Sequence, residues 1–398
     1  MQKRLVPVVI VLALTVGFLG GFYYQNWQSP VQLLNLVNKD YGQPRDVDFS
    51  LFWNVWDMLH NRYVDKSKLN TQDLVYGAID GMVQKVGDPY TVFLKPKENE
   101  EFQQQIKGAF SGIGIEIGLR KNILTVISPI KDTPAARAGL MAGDKILKIN
   151  DKPSEGMKLD EAVGLIRGQK GTKVTLVITR DGLEKAKEVE ITRDIIKIPA
   201  IDWKLLDEEV AYLEIFTFNQ NADAEFKKAA QEISDSKAEK IILDLRNNPG
   251  GLLDSSVNIA GYFLDANKIV TIERFGDGQE NQFRTQPNGQ LKNYPIIVLI
   301  NKGSASASEI LAGALKDNRG ITIVGETSFG KGSVQEVLDL PQKASLKVTI
   351  AKWFTPNGIS INENGIKPDI EVKRTEEDIN ADKDPQLDKA KELIKNLR

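Results

Sequence analysis

The sequence of 398 residues contains no cysteine and a single histidine, His60. Without cysteine the chain can form no disulfide, thiol nucleophile or cysteine-ligated zinc site. A single histidine also leaves the common histidine-rich metal sites without ligands, so we expect neither a metal nor a cofactor. The net charge is -2 and no polybasic block stands out, so nothing in the sequence predicts a nucleic-acid partner.

What is present is the composition of a folded protein with more than one domain. Apolar residues make up 41% and charged residues 27% of the chain, which are ordinary values for a globular protein. A chain of 398 residues is too long for one compact core, so we expect two or three domains.

The first 24 residues predict an uncleaved membrane anchor. Lys3 and Arg4 precede an apolar run, 5–24, which as a helix would rise about 30 Å and cross a bilayer. The two cations favour a cytoplasmic amino terminus. Cleavage is the less favoured alternative, because the run is long and lacks small residues in an A-x-A pattern. We therefore expect a single-pass protein of the cell membrane, with the rest of the chain in the periplasm or at the cell exterior.

A polar linker, 25–45, leads into a predicted helical region, 46–107. Within 48–65 large apolar residues recur at spacings of three and four, which is typical of one face of a helix. These residues are Phe49, Phe52, Trp53, Trp56, Leu59 and Tyr63. A second helix is predicted over 71–87, and a charged one follows at KENEEFQQQIKG. His60 lies beside the aromatic stripe, and we interpret it as structural.

Between 108 and 193 the pattern changes to short strands separated by glycine turns. The segment FSGIGIEIGL alternates isoleucine with small or polar residues, which is the period of a half-buried strand. Together with AGLMAGDKILKIND, it resembles a PDZ domain of the bacterial protease type. PDZ domains bind peptide carboxyl ends as an added edge strand, with loop amides around the terminal carboxylate. The resemblance places that carboxylate loop at Ser111, Gly112, Ile113, Gly114 and Ile115.

Strands alternate with helices over 194–375, which predicts an α/β layer architecture with sites where loops leave the strand ends. The loop NKGSASASE, 301–309, places three alternating serines, with Ser306 in the middle, just before a helix. A capping box of Ser306 and Glu309 would explain this loop in purely structural terms. A nucleophile at the same place would gain from the amides and dipole of the helix start, which stabilise an oxyanion.

A serine nucleophile needs a base to take its proton. The single histidine lies far away in an aromatic helix, so a neutral lysine is the natural substitute. Lowering a lysine pKa from 10.4 to about 7 requires about 4.6 kcal/mol against the charged form, which burial can supply. Lys331 lies between two glycines on a loop after an apolar strand, so its amine could be held in a dry pocket. Lys302 precedes the helix, and we expect it to be solvated.

Three other interpretations compete for this region. Residues 325–332, GETSFGKG, nearly form a phosphate-binding P-loop, but Gly332 replaces the hydroxyl residue that holds magnesium and a strand is predicted to follow. Ser328 and Lys331 match the S-x-x-K of penicillin-binding proteins, but no K-T-G occurs. The third alternative is a catalytically inactive peptide-binding module in which the PDZ-like region does the work.

Four segments in order resemble a C-terminal processing peptidase: DLRNNPGG, NKGSASASEILAGAL, VGETSFGKGSVQ and WFTPNGISINENGIKPDIEV. With the helical lead-in and the PDZ-like region, the resemblance covers most of 46–375. It implies an α/β protein: a crotonase-like protease core (194–375) with an inserted PDZ-like β domain (108–193). An N-terminal helical region (46–107) and an N-terminal transmembrane helix precede them, and a charged tail (376–398) without an assigned role follows.

The resemblance also implies an activity and its residues. The activity is that of a serine endopeptidase with a Ser/Lys dyad, in which Ser306 is the nucleophile, Lys331 the base and Gln335 the residue that orients the lysine amine. The oxyanion hole would use the backbone N–H groups of Ala307 and of Gly250 or Gly251. The partners would be protein substrates, bound by apolar carboxyl-terminal tails on the PDZ-like region and cleaved near that end. Whether the chain forms a homodimer stays open.

A regulatory residue is predicted as well. Arg167 lies at the end of a predicted helix in the PDZ-like region. We expect its guanidinium to reach Gln335 in a domain-closed state and so to couple the position of that region to the active site. The alternative is an arginine that only interacts favourably with the carboxyl end of its own helix.

Overall fold

The computed structural model describes residues 47–397, apart from 121–122, 131–132, 142, 158, 181–184, 198, 207–208, 376 and 379–380. The anchor predicted for 1–24 and the linker predicted for 25–45 lie outside the described residues. Within the described ranges, no helix is long and apolar enough to cross a membrane. The chain divides into two compact units, Met1–Asp73 and Leu74–Arg398.

The described part of the first unit consists mainly of one aromatic helix. Helix α1, Ser50–Arg62, lies within the range 48–65 that the apolar spacing predicts. The rings of Phe52 and Trp56 stack with centroids 6.2 Å apart. Nδ1 of His60 lies 2.9 Å from the Trp56 carbonyl oxygen, and the imidazole stacks on the indole. These contacts agree with a structural role for His60.

The next elements lead into the second unit. Helix α2, Thr71–Gln84, is followed by strand β1, Val92–Leu94, and helix α3, Pro96–Ile106. Proline suits the first turn of α3 because the N–H that it lacks has no partner there. Val83 of α2 and Phe93 of β1 form a small apolar cluster with Ala344.

The PDZ-like region is a β-sheet with two short helices. Its strands are β2 Ala109–Gly112, β3 Ile115–Arg120, β4 Ile123–Pro129, β5 Lys145–Ile149, β6 Lys152–Pro153, β7 Lys173–Thr179, β8 Lys187–Thr192 and β9 Asp194–Lys197. Its helices are α4 Pro134–Arg137 and α5 Leu159–Ile166. The sheet order is β3-β4-β5-β7-β8 with β6 on β5. Because β2 pairs with β9, the chain enters and leaves this region at one place, as an inserted domain does.

The main sheet of the second unit has six strands and helices on both faces. Its strands, in the order β10-β11-β12-β15-β16-β19, are Ile201–Leu206, Val210–Ile215, Lys240–Asp244, Ile296–Ile300, Thr322–Gly325 and Ile370–Glu371. All neighbours are parallel except β10 and β11. Helices α6 Ala222–Asp235, α7 Leu253–Phe263 and α8 Ala307–Arg319 cover one face. The predicted α/β layers are therefore present.

The carboxyl-terminal segment covers the opposite face of this sheet. Helix α9, Pro385–Lys395, buries Ala390 and Ile394 completely against strand residues such as Ile242 and Ile297. The charged composition of this tail predicts no role for it, but in the structure its helix packs as a layer on the sheet. Apolar residues at a helical spacing fill the face, while the charges that dominate the composition point outward.

A second, antiparallel sheet stands beside the first. It contains β1, β13 Ile269–Phe275, β14 Glu280–Arg284, β17 Ser333–Asp339 and β18 Ser345–Phe354. Strand β18 lies between β17 on one side and β1 and β13 on the other. Since strand side chains alternate, Lys347 and Thr349 share one face of β18, and a register shift opposite Val334 and Gln335 follows them. That face becomes a wall of the site described next.

Candidate active site

The three alternating serines of the NKGSASASE loop use their hydroxyls differently. Ser304 and Ser308 are fully buried. The Ser304 hydroxyl donates to the Leu245 carbonyl at 2.8 Å, and the Ser308 hydroxyl donates to the Asn248 carbonyl at 3.0 Å. Ser306 is partly exposed, and its side chain makes no hydrogen bond with a described residue. The middle serine is therefore the one with a hydroxyl available for chemistry.

Ser306 directly precedes helix α8 in an unusual backbone conformation. Its φ is 57° and its ψ is -116°, a region that residues with a Cβ rarely adopt. Only half of the expected capping box forms: the Ser306 N–H donates to Oε2 of Glu309 at 2.7 Å, but the Ser306 side chain makes no cap hydrogen bond. Capping therefore accounts for Glu309 and leaves the Ser306 hydroxyl unexplained.

The carboxylate of Glu309 joins the nucleophile to the loop that carries the base. Oε1 accepts hydrogen bonds from the Ser328 hydroxyl at 2.6 Å and from the Gly330 N–H at 2.7 Å. Oε2 accepts from the Ser306 N–H at 2.7 Å and the Lys331 N–H at 3.0 Å. Burial raises the pKa of Glu309, although these four donors oppose the shift. One buried side chain thus fixes both halves of the predicted dyad.

The glycines that flank Lys331 allow its loop to pack closely against another chain segment. Gly330 has a φ of 87°, and its carbonyl accepts the N–H of Glu363 at 2.8 Å. A Cβ at Gly332 would collide with the backbone of Asn362. This close approach agrees with the expectation that the loop between the two glycines can hold the Lys331 amine in a pocket.

The side chain of Lys331 is partly buried. Its Nζ lies 5.3 Å from the centre of the Tyr90 ring. Burial lowers the pKa of Lys331, the charge of Lys347 lowers it further, and Glu309 acts in the opposite direction. The direction is the one that a lysine needs to act as a base near neutral pH.

Ser306, Lys331 and Gln335 line one cavity of about 490 Å³. No hydrogen bond joins the Ser306 hydroxyl to the Lys331 amine among the described residues. The Gln335 amide donates to the hydroxyls of Ser333, at 2.7 Å, and Thr349, at 3.4 Å. The structure brings the three predicted residues into one cavity, and no side-chain hydrogen bond joins any two of these described residues.

The glycine loop RNNPGG adjoins the nucleophile. Asn248 is fully buried, and its amide donates to the Ile215 carbonyl at 2.7 Å while its Oδ1 accepts the Gly250 N–H at 2.8 Å. Gly250 has a φ of 97°, and a Cβ there would lie 2.6 Å from the Ala305 oxygen and 2.8 Å from Cβ of Ser306. Only glycine fits this position.

The three predicted oxyanion-hole amides differ in their availability. The N–H of Gly250 is already bonded to Asn248. The N–H groups of Gly251 and of Ala307, the first residue of α8, donate to no described residue.

The residues of the competing interpretations are engaged elsewhere. Ser328 is buried, donates to Glu309 and accepts the Ile366 N–H at 2.6 Å, so its hydroxyl is not free. The segment after Lys331 is strand β17, as expected, and not the helix that a P-loop requires. Lys302 is 82% exposed and pairs with Glu326 at 3.3 Å, in agreement with the expectation that it is solvated.

The predicted carboxylate loop Ser111–Ile115 joins strands β2 and β3. Ile113 is buried in the PDZ-like core, and Gly114 has a φ of 79°. The N–H groups of Ile113 and Gly114 donate to no described residue. Strand β3 pairs only with β4 within the described part of its sheet, and α5 packs against β3. An open strand edge therefore lies beside unoccupied loop amides.

Arg167 lies just after helix α5, as predicted. Its guanidinium carbon is 5.0 Å from the centre of the Phe110 ring. The structure records no hydrogen bond between Arg167 and Gln335 among the described residues, so their coupling in a domain-closed state stays a prediction.

Two groups near the predicted dyad are not identified by the sequence. Lys347 lines the cavity from β18, and the centre of the Tyr90 ring lies 5.3 Å from the Lys331 amine. The alternating pattern of LKVTI predicts a strand but not which of its faces meets the nucleophile, so no feature of the sequence identified Lys347.

Comparisons with known proteins agree with this arrangement. The family described as "Peptidase family S41" matches 209–372, a PDZ domain matches 125–180, and "Activating protease CtpB N-terminal domain" matches 14–98. The match to peptidase family S41 falls on the main sheet and its site, and the match to a PDZ domain falls on the PDZ-like sheet.

Named relatives span most of the chain. A "Carboxy-terminal-processing protease" of Bartonella bacilliformis is 39% identical over 81% of this chain and 74% of the relative. "Carboxy-terminal processing protease CtpB" of Bacillus subtilis is 37% identical over 94% and 78%. The solved structure of a "Photosystem II D1 C-terminal processing protease" is 29% identical, with a TM-score of 0.53 over 81% of this chain and 92% of that one. The chain therefore belongs to peptidase family S41, is a serine-type peptidase and carries a PDZ domain.

Proposed function

We propose that this chain cleaves protein substrates near their carboxyl ends, with Ser306 as nucleophile and Lys331 as base. The observation that carries the proposal is the difference among the three serines: the Ser306 hydroxyl, unlike those of Ser304 and Ser308, makes no hydrogen bond with a described residue, and it faces a cavity that it shares with a half-buried lysine. The names of the relatives support the kind of substrate, and the resemblance supports a crotonase-like core.

The chemistry follows from a neutral Lys331. Its lone pair takes the proton of the Ser306 hydroxyl while the serine oxygen attacks the scissile carbonyl carbon. The resulting ammonium then gives that proton to the departing amine, and water hydrolyses the acyl-enzyme. Because no hydrogen bond joins the two side chains in this structure, the Lys331 amine must come within hydrogen-bond distance of the Ser306 hydroxyl for the transfer. Gln335 would orient the amine in that arrangement.

The oxyanion would be held by the N–H groups of Ala307 and Gly251. Neither group donates to another acceptor in the described part of the chain, and helix α8 adds the favourable potential of its amino end. Gly250 is the less suitable of the two glycines because Asn248 occupies its N–H. The role of Gly250 would be to let the loop approach Ser306.

Substrate selection would take place on the PDZ domain. The open edge of β3 can accept an extended chain, and the loop Ser111–Ile115 offers N–H groups for the terminal carboxylate. An apolar carboxyl-terminal tail would be bound there while the preceding residues reach Ser306. This places substrate capture and cleavage on different domains.

The location remains a proposal from the sequence. Residues 1–24 would anchor the protein in the cell membrane, with its catalytic part in the periplasm or at the cell exterior. A homodimer is proposed as an arrangement to be tested by light scattering of the detergent-solubilised chain.

The test is the digestion of an unstructured protein that ends in an apolar tail. Wild type should shorten it from the carboxyl end, whereas Ser306→Ala and Lys331→Ala should not. Ser328→Ala should retain cleavage at a reduced rate, because Ser328 supports Glu309 without supplying a reacting atom. Selective loss in Ser328→Ala, with cleavage retained in Ser306→Ala, would refute the assignment and favour the penicillin-binding interpretation. Tail binding without cleavage by wild type would instead identify a peptide-binding module.

A further inference from the structure

A second lysine shares the cavity with the catalytic base. Lys347 lies on the face of β18 that forms the cavity wall, and Trp353 extends the same wall. Its Nζ lies 5.7 Å from the centre of the Phe102 ring, much as Lys331 lies over Tyr90. Two amines over aromatic faces in one enclosed space make this cavity electrostatically unusual.

Neither amine has a close counter-ion. No ion pair or side-chain hydrogen bond involves Lys331 Nζ or Lys347 Nζ among the described residues. Within the cavity wall the carboxylate present is that of Glu273, and it accepts the Asn281 amide at 3.0 Å. Two ammonium groups in this space would therefore repel each other with little compensation, and one of them should be neutral.

The charged surroundings determine which of the two amines holds the proton. Burial lowers the pKa of Lys347, and the carboxylate of Asp88 opposes that shift by favouring the charged form. Glu309 acts on Lys331, but its carboxylate already accepts four hydrogen bonds and burial raises its pKa. Tyr90 contributes the face of its ring to Lys331. On this balance the proton stays on Lys347, and Lys331 is the amine left neutral.

We propose that Lys347 is a positioning residue for catalysis: its ammonium, kept charged by Asp88, repels a second charge in the cavity and so keeps the Lys331 amine neutral. The proposal rests on the proposed function of the Ser306 and Lys331 dyad. A cationic neighbour is an established way to activate a lysine. Lys347 itself touches no reacting atom and exchanges no proton with the substrate.

The test compares Lys347→Met, which removes the charge, with Lys347→Arg, which keeps it at every working pH. The kcat/KM of the full chain in detergent is measured from pH 6 to 11 with a short peptide substrate. Because the base must be neutral, the rate rises with pH through the apparent pKa of Lys331. In Lys347→Met this rising limb of the pH–rate profile should shift to higher pH by about one unit. The shift lowers kcat/KM about tenfold at pH 7 and leaves the alkaline plateau unchanged. Lys347→Arg should keep the wild-type limb.

Other outcomes would overturn the proposal. An unmoved limb in Lys347→Met, or an equal loss at every pH, would show that Lys347 has only a packing role. Lys347→Gln provides a second neutral side chain if methionine disturbs folding, and thermal melting checks both. Ser306→Ala in the same assay separates the two hypotheses. If Ser306→Ala cleaves, the dyad and the role of Lys347 both fall; if it is inactive while the limb stays fixed, only Lys347 is wrongly assigned.

Discussion

The replacement Glu309→Gln tests whether one buried carboxylate holds the active site together. Each carboxylate oxygen accepts two hydrogen bonds, so the amide nitrogen of glutamine must face two donors in either orientation. If the nitrogen replaces Oε2, the N–H groups of Ser306 and Lys331 both lose their acceptor. If it replaces Oε1, the Ser328 hydroxyl can rotate to accept, and only the Gly330 N–H is orphaned.

The second orientation is the less costly, and its cost can be estimated. One orphaned buried donor destabilises a fold by about 1–3 kcal/mol. We therefore expect Glu309→Gln to unfold in urea with a free energy lower by that amount. We also expect kcat to fall by at least about tenfold, because small displacements of positioned groups have large effects on rate.

Urea denaturation and peptide cleavage measure the two effects on the same preparation. Glu190→Gln is the matched control, since Glu190 pairs with Lys173, both side chains are exposed, and such surface pairs contribute little. The control should match wild type in both assays. The reasoning fails if Glu309→Gln retains the wild-type free energy of unfolding to within 0.5 kcal/mol, on the order of a surface substitution, together with wild-type kcat.

Three further changes probe other parts of the molecule. Gly250→Ala should destabilise the fold by about 1–3 kcal/mol and slow cleavage about 100-fold, because its Cβ would press on Ser306; Gly276→Ala, which has open space around it, should match wild type in both assays. Ile394→Ala should lower the free energy of unfolding by about 2–5 kcal/mol and Glu392→Ala by less than about 0.5, and equal values would contradict the packing of α9. Burial raises the pKa of Glu214 to about 7, so its ionisation disfavours the folded state as pH rises from about 4.5 to 7. Glu214→Gln should therefore gain stability over wild type across that window, and a pH-independent difference in urea midpoint would exclude this explanation.

Periodicity and local chemistry predicted much of the fold. The apolar spacing within 48–65 predicts helix α1, Ser50–Arg62, and the strand predicted after 325–332 is β17, Ser333–Asp339. Strand β14 was not foreseen because its sequence, ENQFR, is polar and exposed, and pairing with β13 rather than burial forms it. The packing of Ala390 and Ile394 of helix α9 is a property of the assembled sheet, which the charged composition of the tail does not predict.

In the site, too, the features set by local sequence could be predicted and those set by the assembled fold could not. Ser306 and Lys331 could be identified because their motifs are local and chemically unusual. Lys347 could not, since its place in the cavity depends on the register of β18 between two other strands. Whether the two side chains are hydrogen-bonded was also beyond the sequence, because it depends on their rotamers.

The backbone of Ser306 has a consequence for the choice of inactive variants. A positive φ at a residue with a Cβ is unfavourable by about 1–3 kcal/mol, and the Ser306 hydroxyl makes no cap hydrogen bond that would be lost on replacement. Glycine adopts this conformation without strain. Ser306→Gly should therefore melt at a higher temperature than wild type while cleaving nothing. That result would mean that the serine nucleophile lowers the melting temperature of the wild-type protein.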